Sequence, residues 1–290
     1  MIDSVLVLIA APGSGAINSR VVEALRDFGS DAPKWLAEDD ALEVPSFARI
    51  AEVLDLLRAF PIDTNVVPIA NRRKKLLIAD MDSTMIHQEC VDELGVMAGV
   101  GDRIKHITTR AMRGDLDFEG ALKERVGLLK GLDESVIVQL LRERITFMEG
   151  GKTLLATMKA NGAYAALVSG GFTAFTSHVA DALGFDESRA NTLLIKNGKL
   201  TGQVAMPILG KAAKVESLKR ICVARGYSQA DVLAVGDGAN DIPMLQTAGM
   251  GVALHAKPKV QEAAPICINH GDLTALLYLQ GYSKENFISP

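Results

Sequence analysis

The chain has 290 residues, 48% of them hydrophobic, and a net charge of −4. That length and apolar content are enough for a large core and more than one domain, and the mild acidity, with Arg72-Arg73-Lys74-Lys75 as its basic block, argues against a nucleic-acid partner. The three cysteines, Cys90, Cys222 and Cys267, are odd in number and lack metal-ligand spacing, so a disulfide framework is not expected and a reducing cytoplasm is.

Met1-Ile2-Asp3-Ser4 lacks a positive n-region, and the apolar run Val5 to Ala11 is too short to span a bilayer, so neither a signal peptide nor a membrane anchor is expected. Ser4–Ala10 reads as a strand, Asn18–Phe28 as a helix and Lys34–Ala37 as a weak strand. Ala41–Val44 reads as a strand, Phe47–Arg58 as a helix and Ile62–Val67 as a strand. The order βαββαβ is that of a ferredoxin-like α+β sandwich. Asn71-Arg72-Arg73-Lys74 is a polar junction, so a first domain is expected over residues 1–71. All candidate chemistry lies after it, and this unit is expected to be dispensable for activity.

Leu76-Leu77-Ile78-Ala79 reads as a buried parallel strand running into Asp80-Met81-Asp82-Ser83-Thr84. Ligands of open α/β sheets bind at the carboxyl ends of the strands. Two carboxylates placed there suggest a divalent-metal site with one carboxylate left for chemistry. Asp-x-Asp-Ser also fits a solvated turn or a helix N-cap. Residues 87–147 follow, with helical patterns at Val91–Ala98, Arg103–Arg113, Phe118–Leu129 and Ser135–Arg144 and no strong strand, as a small helical cap would have.

Strands then alternate with helices: strand Tyr164–Val168, helix Phe172–Leu183, helix Ala212–Arg225, strands Val232–Val235 and Met250–Ala253. That alternation predicts a parallel sheet covered by helices on both faces. Asn191–Ile195 and Lys199–Val204, joined through Asn197-Gly198, read as a hairpin. Ser169 and Gly170 stand where a strand meets a helix start, which makes an anion site. Lys214, or Lys211 one turn earlier, is a candidate cation for the same anion, though either also reads as an ordinary exposed lysine. Val232–Val235 enters Gly236-Asp237-Gly238-Ala239-Asn240-Asp241, where Asp237 offers a third metal oxygen and Asn240 and Asp241 fall on the following helix. The core is thus expected over residues 72–86 and 148–290.

Asp-x-Asp-Ser-Thr, Ser-Gly-Gly-Phe, a lysine and Gly-Asp-Gly-Ala-Asn-Asp, in that order, resemble the haloacid dehalogenase superfamily. Glu89 in Ile86-His87-Gln88-Glu89 and Arg125 in the segment Asp117 to Val126 narrow the resemblance to the phosphoserine phosphatase family, over about Lys75 to Ser283. The resemblance implies a Rossmann-like α/β core with a helical cap, preceded by a unit weakly similar to ACT domains. It implies Mg²⁺-dependent hydrolysis of O-phospho-L-serine, the last step of serine biosynthesis.

By the same resemblance, Asp80 is the nucleophile, and Asp82 the general acid and base. Mg²⁺ rests on Asp80, Asp237 and the backbone carbonyl of Asp82, with Asp241 beside it. Ser169, Gly170 and Lys214 hold the phosphoryl oxygens, and Asn240 and Asp241 orient metal waters and Lys214. Glu89 suits the substrate ammonium and Arg125 its carboxylate, while Met112 and Phe118 form an apolar lid. Membrane and nucleic acid are not expected as partners, and a homodimer is left open. Competing readings are a phosphatase for sugar or nucleotide phosphates, against which Glu89 and Arg125 argue, and a phosphotransferase, which fits every residue named. A dehalogenase would not need Asp82, and a non-catalytic serine sensor would not need an intact catalytic set.

Overall fold

The computed structural model describes residues 4–26, 33–45, 49–113 and 115–289, with the side chains of residues 112 and 113 outside the description. The first unit comprises strand β1 (Ser4–Ala10), helix α1 (Ser19–Arg26), strands β2 (Lys34–Ala37) and β3 (Ala41–Val44), helix α2 (Ile50–Leu57) and strand β4 (Ile62–Pro68). Its sheet runs β2-β3-β1-β4 with antiparallel pairing throughout, the ferredoxin-like order. Phe28 and Phe47, read as parts of the two helices, lie outside the described residues.

β1 explains how this unit sits on the rest. Side chains alternate across a strand, and here both faces are apolar. Leu6, Leu8 and Ala10 pack with Val21, Leu25, Val53 and Leu57 of α1 and α2. Val5, Val7 and Ile9 join the main core of the chain instead. Polar fasteners line the same seam. Asp63 on β4 accepts the amides of Asn269, His270 and Gly271 at 2.6, 3.0 and 2.8 Å. The Asn65 amide group bonds both backbone groups of Cys267, at 3.0 and 3.3 Å. Arg72 bonds Glu43 at 2.6 Å and the carbonyls of Leu279 and Tyr278 at 2.7 and 3.1 Å.

The second unit begins with strand β5 (Leu76–Ala79). Helices α3 (Cys90–Met97), α4 (Gly101–Arg113), α5 (Phe118–Gly127) and α6 (Ser135–Glu143) follow, then α7 (Gly151–Ala160), strand β6 (Tyr164–Phe172) and α8 (Thr173–Leu183). The chain continues with strands β7 (Glu187–Asn191), β8 (Leu193–Lys196) and β9 (Lys199–Val204), α9 (Lys211–Arg225), β10 (Val232–Gly236), α10 (Ile242–Thr247), β11 (Met250–Leu254), α11 (Pro258–Ala263), β12 (Ile266–Ile268) and α12 (Ala275–Leu279). Six strands form one parallel sheet in the order β12-β11-β10-β5-β6-β7. Leu77, Ala79, Leu233 and Val235 face one core, with α7, α8 and α12. Leu76, Ile78, Val232 and Ala234 face the other, with α9, α10 and α11. A sheet buried on both faces needs continuous apolar strands, which is why β5 and β10 read as short unbroken runs.

Several boundaries differ from those read in the sequence. β6 continues through Ser169-Gly170-Gly171 to Phe172, so Gly-Gly lies at a strand end with α8 starting at Thr173. α9 begins at Lys211, one residue before the expected start, which puts Lys214 in its first turn. Asn240 and Asp241 precede α10, with Asp241 as its N-cap. Asn191 ends β7, an edge strand too polar to stand out, and the hairpin starts at Leu193 with Asn197 and Gly198 both at positive φ in its turn. α7, β12, α11 and α12 are absent from the sequence reading, because three- to ten-residue elements carry little periodicity of their own.

Candidate active site

Strand order places the acidic clusters together. β5 is flanked by β10 and β6, so Asp80, Asp237 and Ser169-Gly170 emerge at three adjacent strand ends although far apart in the chain. The Asp80 amide donates to Val235 at 3.0 Å, which extends the β5–β10 pairing into the turn. Ser83 adopts φ +53°, the left-handed turn conformation, and its hydroxyl donates to Glu89 Oε1 at 3.0 Å. Thr84, fully buried, donates to Asp237 Oδ1 at 3.4 Å.

Lys214 is 2% exposed and its ammonium lies 2.8 Å from Asp80 Oδ2. It also pairs with Asp241 Oδ1, whose other oxygen accepts the Gly238 amide at 3.0 Å. Burial alone would lower the Lys214 ammonium, but Asp241 and Asp80 hold it well above its ordinary value. Lys211 is exposed. The Asp241 carboxyl occupies the space a Cβ would take at Gly236, so a glycine is required there.

Asp80, Asp237 and Asp241 are buried, each with an oxygen within 4.8 Å of the others. Burial, then the charges of Asp80 and Asp241, push the Asp237 carboxyl up to about 7. Three buried carboxylates against one ammonium leave an excess of negative charge that a hard divalent cation would offset. The donor set therefore fits Mg²⁺. Asp241 already engages both oxygens, whereas Asp237 has a free oxygen, so Asp237 and Asp80 are the better direct ligands. The Asp82 carboxylate is outside this group.

Asp82 points the other way. Its Oδ1 is buried without a hydrogen-bond partner. Burial, then the charges of Glu89 and Asp80, raise its carboxyl well above the ordinary range. A Cβ on Gly171 would lie 3.1 Å from Asp82 Oδ2 and 3.1 Å from Ser169 Oγ. The Ser169 hydroxyl oxygen accepts the Gly171 amide at 2.9 Å, and Gly170 leaves its carbonyl to Asn191 Nδ2 at 2.9 Å.

The cap closes over these strand ends. The Phe118 ring lies 3.0 Å from where a Gly170 Cβ would stand, in contact with the strand end itself. Asp117 caps α5, its Oδ1 accepting the Gly120 amide at 2.8 Å. Arg125, two turns further along the same face of α5, is half-buried; burial lowers its guanidinium, while Asp92, Glu89 and Asp82 raise it. Glu89 is the N-cap residue of α3, and burial foremost raises its carboxyl. Met112 lies in α4, and its side chain is outside the described residues. Asn240 is half-buried beside Gly238, and Lys214 is held by Asp80 and Asp241 rather than by it.

Four residues of this site carry no assignment from sequence. Ser83 and Thr84 stand within the quoted motif, and their position beside Asp82 was the available signal. Asp92, one turn after Glu89 with a buried unpartnered Oδ1, is the leading charge acting on Arg125. Asn191, buried under the Gly170 turn, also bonds the Leu209 carbonyl and amide at 3.2 and 2.7 Å, and no local motif marks it.

The family model of haloacid dehalogenase-like hydrolases matches residues 77–246. A phosphoserine phosphatase of Streptomyces coelicolor is 42% identical over 229 residues, 78% of this chain and 56% of that protein. This chain spans between 56% and 65% of the length of three such curated relatives, from S. coelicolor, Archaeoglobus fulgidus and Haemophilus influenzae. A probable phosphoserine phosphatase from Vibrio cholerae, solved unliganded, matches with a TM-score of 0.80 and 32% identity, over 98% of this chain and 88% of that one. A phosphoserine phosphatase solved as a phospho-aspartyl intermediate analogue matches with a TM-score of 0.67 and 42% identity, over 71% of this chain and 98% of that one. Among the described residues, no helix is long and apolar enough to cross a membrane. With its strand-end carboxylates, its buried lysine and these matches, the chain belongs to the haloacid dehalogenase-like hydrolases and, among them, to the phosphoserine phosphatase family.

Proposed function

We propose that this chain hydrolyses O-phospho-L-serine to L-serine and inorganic phosphate through an aspartyl phosphate on Asp80. One juxtaposition carries the reading. A buried Asp80–Lys214–Asp237 cluster at the strand ends is faced by a cap bearing both a carboxylate, Glu89, and a guanidinium, Arg125. A phosphate with a neutral alcohol needs only the first half of that arrangement. An amino-acid phosphate has an ammonium and a carboxylate that fit the second.

In the proposed reaction an Asp80 oxygen attacks phosphorus and the bond from phosphorus to the serine oxygen breaks. Asp82, its carboxyl raised by burial, gives its proton to the departing serine oxygen. Water then attacks phosphorus, passing a proton to Asp82, and the Asp80–phosphorus bond breaks to free the nucleophile. Lys214, the Ser169 hydroxyl and the Gly170 amide hold the remaining phosphoryl oxygens during both steps. Asp80, Asp237 and the Asp82 carbonyl would hold Mg²⁺, which when bound neutralises charge on the transferring group. Asp241 orients Lys214. Glu89 and Arg125 bind the amino-acid end, and Phe118 closes the apolar side of the site. Every residue named comes from one chain, so this reading needs no second subunit.

The test is phosphate release across O-phosphoserine, O-phosphothreonine, sugar phosphates, nucleotides and p-nitrophenyl phosphate, with and without Mg²⁺. Preference for O-phosphoserine that vanishes with chelator is the expected outcome. Equal rates on all esters, or serine-dependent transfer to another alcohol in place of release, would overturn it.

A further inference from the structure

The Asp63 fastener reaches beyond the seam between the two units. Asp63 is 4% exposed, and its carboxylate is satisfied by three successive amides of the loop after β12. Gly271, the last of these, gives its carbonyl to His255 Nε2 at 2.9 Å. Since a carbonyl only accepts, Nε2 carries the proton. The His255 amide also bonds Ile268 at 2.8 Å. His255 stands at φ +45°, a left-handed conformation that a non-glycine residue keeps only when its surroundings hold it. It opens the turn after β11, and two residues later the Lys257 amide donates to the Asp237 carbonyl at 3.4 Å. Hydrogen bonds, joined by the short stretch of chain from His255 to Lys257, thus link β4 of the first unit to the backbone of the aspartate offered as a metal ligand.

We propose that Asp63 and His255 are positioning residues for Asp237, so that the first unit helps to set the geometry of the metal site. The proposal rests on the Mg²⁺-dependent reading above. Its physical basis is the accounting of the loop's amides. Without a carboxylate at position 63, the amides of Asn269, His270 and Gly271, the last of them buried, lose their acceptor. The loop they belong to is the one His255 leans on, and the strained turn at His255 then loses its brace. Side-chain fastening of the seam as such is a separate matter, because Asn65 grips Cys267 without touching the loop.

The experiment measures Mg²⁺ binding by titration calorimetry on the full chain, in wild type, Asp63→Asn, His255→Ala, the double variant and Asn65→Ala, each checked for a cooperative melt. Asp63→Asn and His255→Ala should each weaken Mg²⁺ binding by about threefold to tenfold, less than the ~10–100-fold typical of groups that touch a ligand directly. The double variant should be no weaker than the worse single one, since both cut one line. Asn65→Ala should bind as wild type does. Unchanged Mg²⁺ binding in folded Asp63→Asn and His255→Ala overturns the proposal, and so does equal weakening in Asn65→Ala. Should Asp63→Asn not fold, His255→Ala, which leaves the seam intact, decides alone. Absence of Mg²⁺ binding in wild type would instead overturn the metal reading beneath it, and is recognised because it precedes any substitution.

Discussion

Asp80 and Asp82 are two residues apart yet meet opposite environments. Asp80 faces a buried ammonium at 2.8 Å, which holds its side chain in place for attack. Asp82 has a buried oxygen with no partner and carboxylates for neighbours, which favours the protonated form an acid needs. Asp82→Asn should therefore slow O-phosphoserine turnover by about 10²–10⁴-fold while sparing phosphorylation of Asp80 by p-nitrophenyl phosphate, whose leaving group needs no proton. Trapped phospho-enzyme with the activated ester is the readout, and equal loss with both esters would contradict the division of labour. Gly171→Ala tests the same side chain from outside. A Cβ 3.1 Å from Asp82 Oδ2 must push the carboxylate or the Ser169 turn aside. Turnover should fall by about tenfold to 10²-fold, with calorimetric Mg²⁺ binding unchanged.

At the scale of elements, α5 delivers both Phe118 and Arg125, so its N-terminus matters to substrate choice. Asp117 satisfies the Gly120 amide there. Asp117→Ala should cost about 1 kcal/mol of stability and raise KM for O-phosphoserine. p-Nitrophenyl phosphate, which has no carboxylate for Arg125, should be affected less. Arg125→Ala should show the same contrast more strongly, by about tenfold to a hundredfold in relative kcat/KM. Equal effects on both esters would make α5 a scaffold rather than the source of specificity. The span and the motif residues of this helix were legible in sequence, whereas its Asp117 cap came from the structure. The polar edge strand β7 was not, because its residues do not alternate in hydrophobicity.

Across the whole molecule, packing changes what is expected of the first unit. Val5, Val7 and Ile9 share a core with Leu276, Tyr278 and Leu279, and each such side chain contributes ~1.5–3 kcal/mol when fully buried. Arg72, the first residue of the second unit by sequence, bonds Glu43 of the first. A chain starting at Arg72 should therefore melt lower by about 10 °C or more and aggregate through the uncovered face of α12, although every proposed catalytic side chain remains. Thermal melts and light scattering of the truncated chain give the answer. A truncation as stable as the full chain would show that the seam contributes nothing.

The sequence by itself determined the parallel sheet, the cap insertion and the residues at the strand ends, because continuous apolar strands and acidic turns are local signals. It also placed a ferredoxin-like unit at the start, from the order of its elements. Tertiary structure decided between Lys211 and Lys214, since which face of α9 reaches Asp80 depends on how the helix docks. It likewise decided that Asp241 grips Lys214, that Asn191 holds the Gly170 turn, and that Asp63 reaches a loop some two hundred residues away. Such contacts join residues whose spacing along the chain carries no period, so only the folded backbone brings them together.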